Sequence, residues 1–125
     1  MKKLITILTL ITSMNIFAGE VSNFTEEKFN KLQEENASIL IDVKATWCPV
    51  CKKQEEIIKK YFEENSDSNI FVLNVDYDDQ KEWVRYFKAP RQSTLVSYIG
   101  KQKVEMTIAR KDEKTIFAQM KKIEK

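Results

Sequence analysis

The chain has 125 residues, with 21 Lys and Arg against 19 Asp and Glu, two Cys and no His. That length suits one domain, and the near balance of signs gives no electrostatic footprint for nucleic acid. With no His, any metal site would rest on two thiols, too few for tetrahedral zinc.

The first eighteen residues do not read as part of the domain. Lys2 and Lys3 make a basic start, residues 4–18 carry no charge, and the small residues Ala18 and Gly19 close the stretch. This is the pattern of a secretory signal peptide, so the expected division is a leader over residues 1–18 and a domain over 19–125. The alternative is an uncleaved membrane anchor. Against it, the apolar stretch falls short of the ~20 residues that span a bilayer comfortably, and Asn15 interrupts it. Cleavage after Ala18 removes two lysines and no acid, leaving 19 charges of each sign on 107 residues. The expectation is a neutral, monomeric domain in the periplasm or otherwise exported, held at the membrane only if the leader stays.

Within the domain, Asn23 followed by Glu26 reads as a capping box before an amphipathic helix with Phe29 and Leu32 inward. Residues 38–43 (SILIDV) read as a strand, and Cys48 falls where it ends. From Pro49 the pattern turns helical, with Val50, Ile57, Ile58, Tyr61 and Phe62 on the dry side. Residues 70–75 (IFVLNV) form an almost continuous apolar run, as in a strand covered on both faces. Asp78 or Asp79 is expected to cap a short helix carrying Trp83, Val84 and Phe87, which Pro90 ends. Residues 94–99 and 103–108 read as a hairpin around Gly100-Lys101. A last helix buries Ile116, Phe117, Met120 and Ile123. The order α-β-α-β-α-β-β-α predicts an α/β fold. Its central mixed sheet has about four strands, a parallel βαβ unit plus a C-terminal antiparallel hairpin, flanked by helices.

Both cysteines lie in Trp47-Cys48-Pro49-Val50-Cys51. A disulfide between them closes a tiny ring and removes little unfolded-state entropy, so the spacing favours redox work over stapling. Cys48 at a strand-to-helix junction faces the unpaired N–H groups and positive end of the helix, which stabilise a thiolate. Pro49 fits the first helical position. Cys51, almost a turn further on, is expected to be the more buried, resolving thiol, and Cys48 the exposed, attacking one. Trp47 is placed to shield the sulfurs, or simply to pack. Asp42, in an apolar strand, shares a face with Leu40 and Lys44. A carboxylate held there has a raised pKa and can relay a proton to Cys51, unless it merely pairs with Lys44.

The segment Asp42-Val43-Lys44-Ala45-Thr46-Trp47-Cys48-Pro49-Val50-Cys51-Lys52 resembles the active-site segment of the thioredoxin superfamily, and the element order agrees over nearly the whole domain. The resemblance implies a thioredoxin fold and a redox disulfide between Cys48 and Cys51. It makes Cys48 the nucleophile, Cys51 the resolver and Asp42 the proton relay. An exported member is also similar to the periplasmic reductases, which take electrons from a membrane donor and reduce exported proteins, cytochrome c precursors among them.

Two departures stand out. The family places a cis-proline before a Thr at the start of the fourth strand, facing the cysteines. Here Ser93 takes the proline's place before Thr94. A cis Gln92–Ser93 bond costs about 2.5–4 kcal/mol, so a trans bond with a displaced loop is expected, with Ser93 and Thr94 available to substrate and the Ser93 hydroxyl near the cysteines. The family's lysine facing the buried aspartate is replaced by Val72, and Lys44 is positioned to supply that charge instead.

The functional expectation is dithiol–disulfide exchange with protein substrates, with no cofactor beyond the two sulfurs. Pro49-Val50 offers no donor or charge between the cysteines, which favours a reductant over an oxidant. Two other readings are a copper(I) carrier using the same thiolates and a non-catalytic binding module.

Overall fold

The computed structural model describes residues 19–125; the expected leader over residues 1–18 lies outside them. Nine elements follow in order. They are β1 (Glu20–Asn23), α1 (Glu26–Glu34), β2 (Ser38–Lys44), α2 (Pro49–Glu64), β3 (Ile70–Asp76), α3 (Lys81–Tyr86), β4 (Thr94–Ile99), β5 (Gln102–Ile108) and α4 (Glu113–Lys121).

The strands form one mixed sheet in the order β1-β3-β2-β4-β5. β1 and β2 run parallel to β3 on either side of it. β4 pairs antiparallel with both β2 and β5. The four expected strands are joined by β1, a short edge strand that sequence patterning does not reveal. Its four residues show little alternation and little burial, so they carry no hydrophobic signature.

Alternation along β2 sorts the core into two layers. Ile39, Ile41 and Val43 point to one face, where they meet Phe29 and Leu32 of α1, Val84 of α3, and Phe87. Leu40 points to the other, against Ile57, Ile58 and Tyr61 of α2 and Ile116 and Met120 of α4. Two helices therefore cover each face, and β2, paired on both sides, is fully dry from Ser38 to Val43. Burial on both faces explains why Ile and Val fill β2, and it leaves the carboxylate of Asp42 inside it.

Three local expectations are corrected. The N-cap of α1 is Thr25, whose side chain accepts from the Lys28 N–H at 3.2 Å, while Asn23 belongs to β1. The N-cap of α3 is Gln80, and no side chain caps it. The Asp76 carboxylate instead accepts from the Asp78 and Asp79 N–H groups at 2.9 and 3.1 Å, the local turn bonding that short acidic side chains favour. α3 also ends before Pro90 has any influence: its last residue is Tyr86, and Lys88 turns left-handed at φ +56°.

The cap assignment is open to test. Thr25→Ala is expected to cost about 1 kcal/mol, lowering the thermal midpoint by about 4–8 °C, whereas Asn23→Ala should shift it much less. Thermal unfolding by circular dichroism checks it; equal shifts would return the cap to Asn23.

Candidate active site

β2 runs out at Lys44, and a short turn delivers Cys48 to the start of α2. Cys48 has extended backbone angles (φ −97°, ψ 110°) and is the N-cap of the helix, with Pro49 in its first turn. The Cys48 sulfur accepts a hydrogen bond from the Cys51 N–H at 3.2 Å, so one of the helix's unpaired donors is aimed at it. The two cysteines are joined as a disulfide with Cα atoms 5.3 Å apart. This geometry lowers the energy of a Cys48 thiolate once the bond is reduced, because charge would form at the positive end of a sixteen-residue helix.

Burial departs from expectation. Cys48 is 1 % exposed, no more open than Cys51 at 3 %. In the disulfide both sulfurs turn inward and pack with Ala45, Val50 and Tyr77 in a small cluster of their own, apart from the two main cores. The opening lies beside them: Thr46, Trp47 and Pro49 are exposed. Trp47, 57 % exposed, stands edge-on to Tyr77, and its indole N–H donates to Asp78 at 2.8 Å. It presents an apolar surface next to the cysteines while one polar edge is pinned.

Asp42 lies on the α2 side of β2, 2 % exposed, and its Oδ1 has no hydrogen-bond partner. It lines a groove of about 500 Å³ with Val21, Val72, Ile58 and Phe62, and Lys44 and Glu55 also border the groove. Cys51, Glu55 and Ile58 recur at the spacing of one helical face, so Asp42 looks onto the side of α2 that carries Cys51. Burial pushes its carboxyl up from 3.8 to about 7, and the nearby Lys44 charge offsets part of that rise. Lys44 does not pair with Asp42; it pairs with Glu55 at 3.3 Å, which itself pushes the Asp42 pKa up. Val72, at the expected lysine position, contributes only an apolar wall to the groove.

A helix N-terminus bearing a Cys-x-x-Cys disulfide, a buried acid behind it and this sheet order point one way. The Thioredoxin family model matches residues 20–122. The chain belongs to the thioredoxin family. It is 33% identical over 85 residues to a thioredoxin of Coprinus comatus, covering 68% of this chain and 78% of that one. It is 32% identical over 90 residues to an H-type thioredoxin of Fagopyrum esculentum, covering 70% and 74%. Among solved structures it is similar to Trxlp from Edwardsiella tarda EIB202, with a TM-score of 0.75, 31% identity, and coverage of 79% of this chain and 96% of that one. Family and cysteine pair together make the chain a thiol–disulfide oxidoreductase.

Within that family the Ser93 loop is the chief departure. All peptide bonds among the described residues are trans, Gln92–Ser93 included. Ser93 is left-handed at φ +62°, a conformation costing a non-glycine residue about 1–2 kcal/mol. Its N–H, which a proline would lack, donates to the Val43 carbonyl at 2.7 Å. The hydroxyl does not reach the sulfurs as expected; it donates instead to the Gln92 carbonyl, and among the described residues the Cys51 N–H is the sole hydrogen bond to sulfur. A Ser93→Pro exchange is therefore no clean probe of the loop, since proline fits neither the angle nor the bond. Thr94 is buried at the start of β4, and its hydroxyl donates to the Arg91 carbonyl at 2.7 Å, which folds the loop back on itself. That leaves the Thr94 hydroxyl engaged internally.

Sequence reasoning missed Gln54. It is fully buried on α2, and its amide donates to Ser93 and Arg110 carbonyls at 3.1 and 2.8 Å. The available signal was a polar residue three places after Cys51, inside the helix's apolar stripe.

The raised acid has a measurable consequence for stability. Between pH 3.8 and about 7 the folded chain keeps a proton on Asp42 that the unfolded chain has lost, so folding stability falls as pH rises through that window. Asp42→Asn should match the parent chain near pH 4 and exceed it near pH 8, by on the order of 4 kcal/mol at most. Urea unfolding of the oxidised proteins at the two pH values checks this, and an equal gap at both would show that the acid is not raised.

Proposed function

We propose that the chain is an exported protein-disulfide reductase, with Cys48 as nucleophile, Cys51 as resolving thiol and Asp42 as the proton relay for Cys51. The observation that carries this is the placement of the Cys48 sulfur at the N-terminus of α2, 3.2 Å from the Cys51 N–H. In the reduced chain the Cys48 thiolate attacks one sulfur of a substrate disulfide. A mixed disulfide forms and the first substrate sulfur leaves as a thiolate. Cys51 then loses its proton to Asp42 and attacks the Cys48 sulfur. The second substrate thiol departs, two electrons have passed to the substrate, and the Cys48–Cys51 disulfide is restored. An acid titrating near 7 suits this exchange, since it can hold or release the proton at working pH.

Trp47 and Pro49, exposed on either side of Cys48, form the substrate-facing rim, and the third part is the exposed Arg91 and half-buried Gln92, because Ser93 and Thr94 behind them are fully buried. The leader pattern of residues 1–18 supports export and, with it, a reaction in a periplasm or equivalent space. There a membrane dithiol donor would re-reduce the chain, and exported proteins with mispaired or blocked cysteines, such as cytochrome c precursors, would be its substrates. Support for the reducing direction comes from Pro49-Val50, which adds no charge between the cysteines to favour the reduced form.

Cysteine exchange tests the chemistry. Cys51→Ser should accumulate a covalent mixed disulfide with substrate, and Cys48→Ser should abolish turnover. Asp42→Asn should lower kcat by about 10²-fold through slow resolution. A reduction potential near −270 mV, the thioredoxin range, supports a reductase, while one near −120 mV overturns that direction. Stoichiometric copper(I) binding without disulfide turnover would replace the whole reading by that of a metal carrier. Export is checked by mass spectrometry of the secreted chain, which should begin at Gly19.

A further inference from the structure

Residues on both sides of the β4–β5 hairpin adopt a conformation that their side chains disfavour. Ser93, just before β4, has φ +62°, and Ala109, just after β5, has φ +55°. They are tied to each other, the Ala109 N–H donating to the Ser93 carbonyl at 2.9 Å. Two left-handed non-glycine residues side by side persist only where their surroundings over-determine them.

Backbone bonds supply part of this, the Ser93 N–H donating to Val43, and one buried side chain adds to it. Gln54 is wholly buried, and its single amide nitrogen donates both to the Ser93 carbonyl, at 3.1 Å, and to the Arg110 carbonyl, at 2.8 Å. It thus joins both chains at the open end of the hairpin to α2, three residues after Cys51. Along a helix that is less than one turn, so the loop it holds lies beside the cysteine-bearing end. Its Oε1 is buried without a partner, a cost that a residue serving only to fill space would not carry, since Leu or Met fills the same volume.

We propose that Gln54 is a positioning residue for protein substrates. With the Ser93–Val43 backbone bond, its carboxamide holds Ser93 in the left-handed conformation and so fixes the exposed Arg91 and half-buried Gln92 as a rim at the cysteine-bearing end of α2. The device does by side-chain hydrogen bonding what a proline does by covalent restraint: it removes the loop's alternatives before substrate arrives. Released from the clip, Ser93 relaxes toward negative φ and the rim moves. A substrate then has to re-order the loop as it binds, which weakens binding more than it slows the chemistry.

This rests on the reductase reading above, and the test separates the two. The unmodified chain, Gln54→Met, Ser93→Gly and the double variant are compared on a folded protein disulfide, with KM and kcat measured separately. Gln54→Met should raise KM about tenfold, the effect expected from one or two net hydrogen bonds, with kcat falling less than about threefold. With glycine at position 93 the same change should raise KM less than about threefold, because glycine takes a positive φ without help. A purely structural role would lower the thermal midpoint with no such split. A parental KM in Gln54→Met, or a KM penalty of equal size with Ser and Gly at 93, overturns the proposal. Failure of the unmodified chain to reduce any protein disulfide counts against the reductase reading instead. The clip is then decided by hydrogen exchange, as it is if Gln54→Met does not fold. Side-chain amide protons of Gln54 exchanging at least ~100-fold more slowly than those of free glutamine support it, and exchange at the free rate overturns it.

Discussion

The site depends on the full burial of β2. This strand is paired along both edges and covered on both faces, so its position is set by the whole sheet and by all four helices. Whatever leaves its C-terminal end is delivered to a fixed place, and what leaves it is Cys48 at the start of α2. A thiolate there needs no neighbouring cation, because the backbone N–H groups of a well-anchored helix supply the stabilisation. The anchoring is visible further down α2, where Ile57, Ile58 and Tyr61 are buried against α4 and the sheet. The Tyr61 hydroxyl donates to Glu124 at 2.9 Å, beyond the end of α4, tying the far end of the cysteine helix to the C-terminus of the domain.

The same burial makes Asp42 expensive and useful together. A carboxyl with no partner for one oxygen, inside a dry strand, is destabilising whenever it ionises. An apolar side chain there would give a more stable protein, and that cost is the physical argument for a chemical role. The Lys44–Glu55 pair then acts as a trim. Its cation lowers the acid's pKa and its anion raises it, with the two charges separated by only 3.3 Å. The net result is a group near neutrality rather than one locked in either state.

Much of this was legible in the residues. The apolar runs of β2 and β3, the Gly100-Lys101 hairpin and the stripe on α4 carried the fold, because each is long and periodic. Cys48 and Cys51 were legible because two thiols three places apart at a strand-to-helix junction are poor staples and good redox partners. Asp42 was legible because a carboxylate inside an apolar strand is costly to keep unless it acts. What escaped has a common cause. β1 is short, half-exposed and held by backbone pairing, so its stabilising bonds do not depend on side-chain type. The capping of α1 turned on which of two eligible residues, Asn23 or Thr25, the sheet had already claimed. The inward turn of Cys48 was invisible because it depends on the sulfur–sulfur bond and on Tyr77, twenty-nine positions away.

The Ser93 loop shows the limit of reasoning by substitution. Replacing proline by serine reads in one dimension as the loss of a restraint, and the expectation drawn from it is a trans bond with a displaced loop. In three dimensions the gained N–H is donated to Val43, the carbonyl is shared by Ala109 and Gln54, and Thr94 closes the turn on Arg91. The restraint has moved from a ring to a set of hydrogen bonds spread over β2, α2 and the end of β5. Such a set is more sensitive than a proline to changes elsewhere. It also ties the loop's shape to the helix carrying the cysteines, through the Gln54 bond to the Ser93 carbonyl.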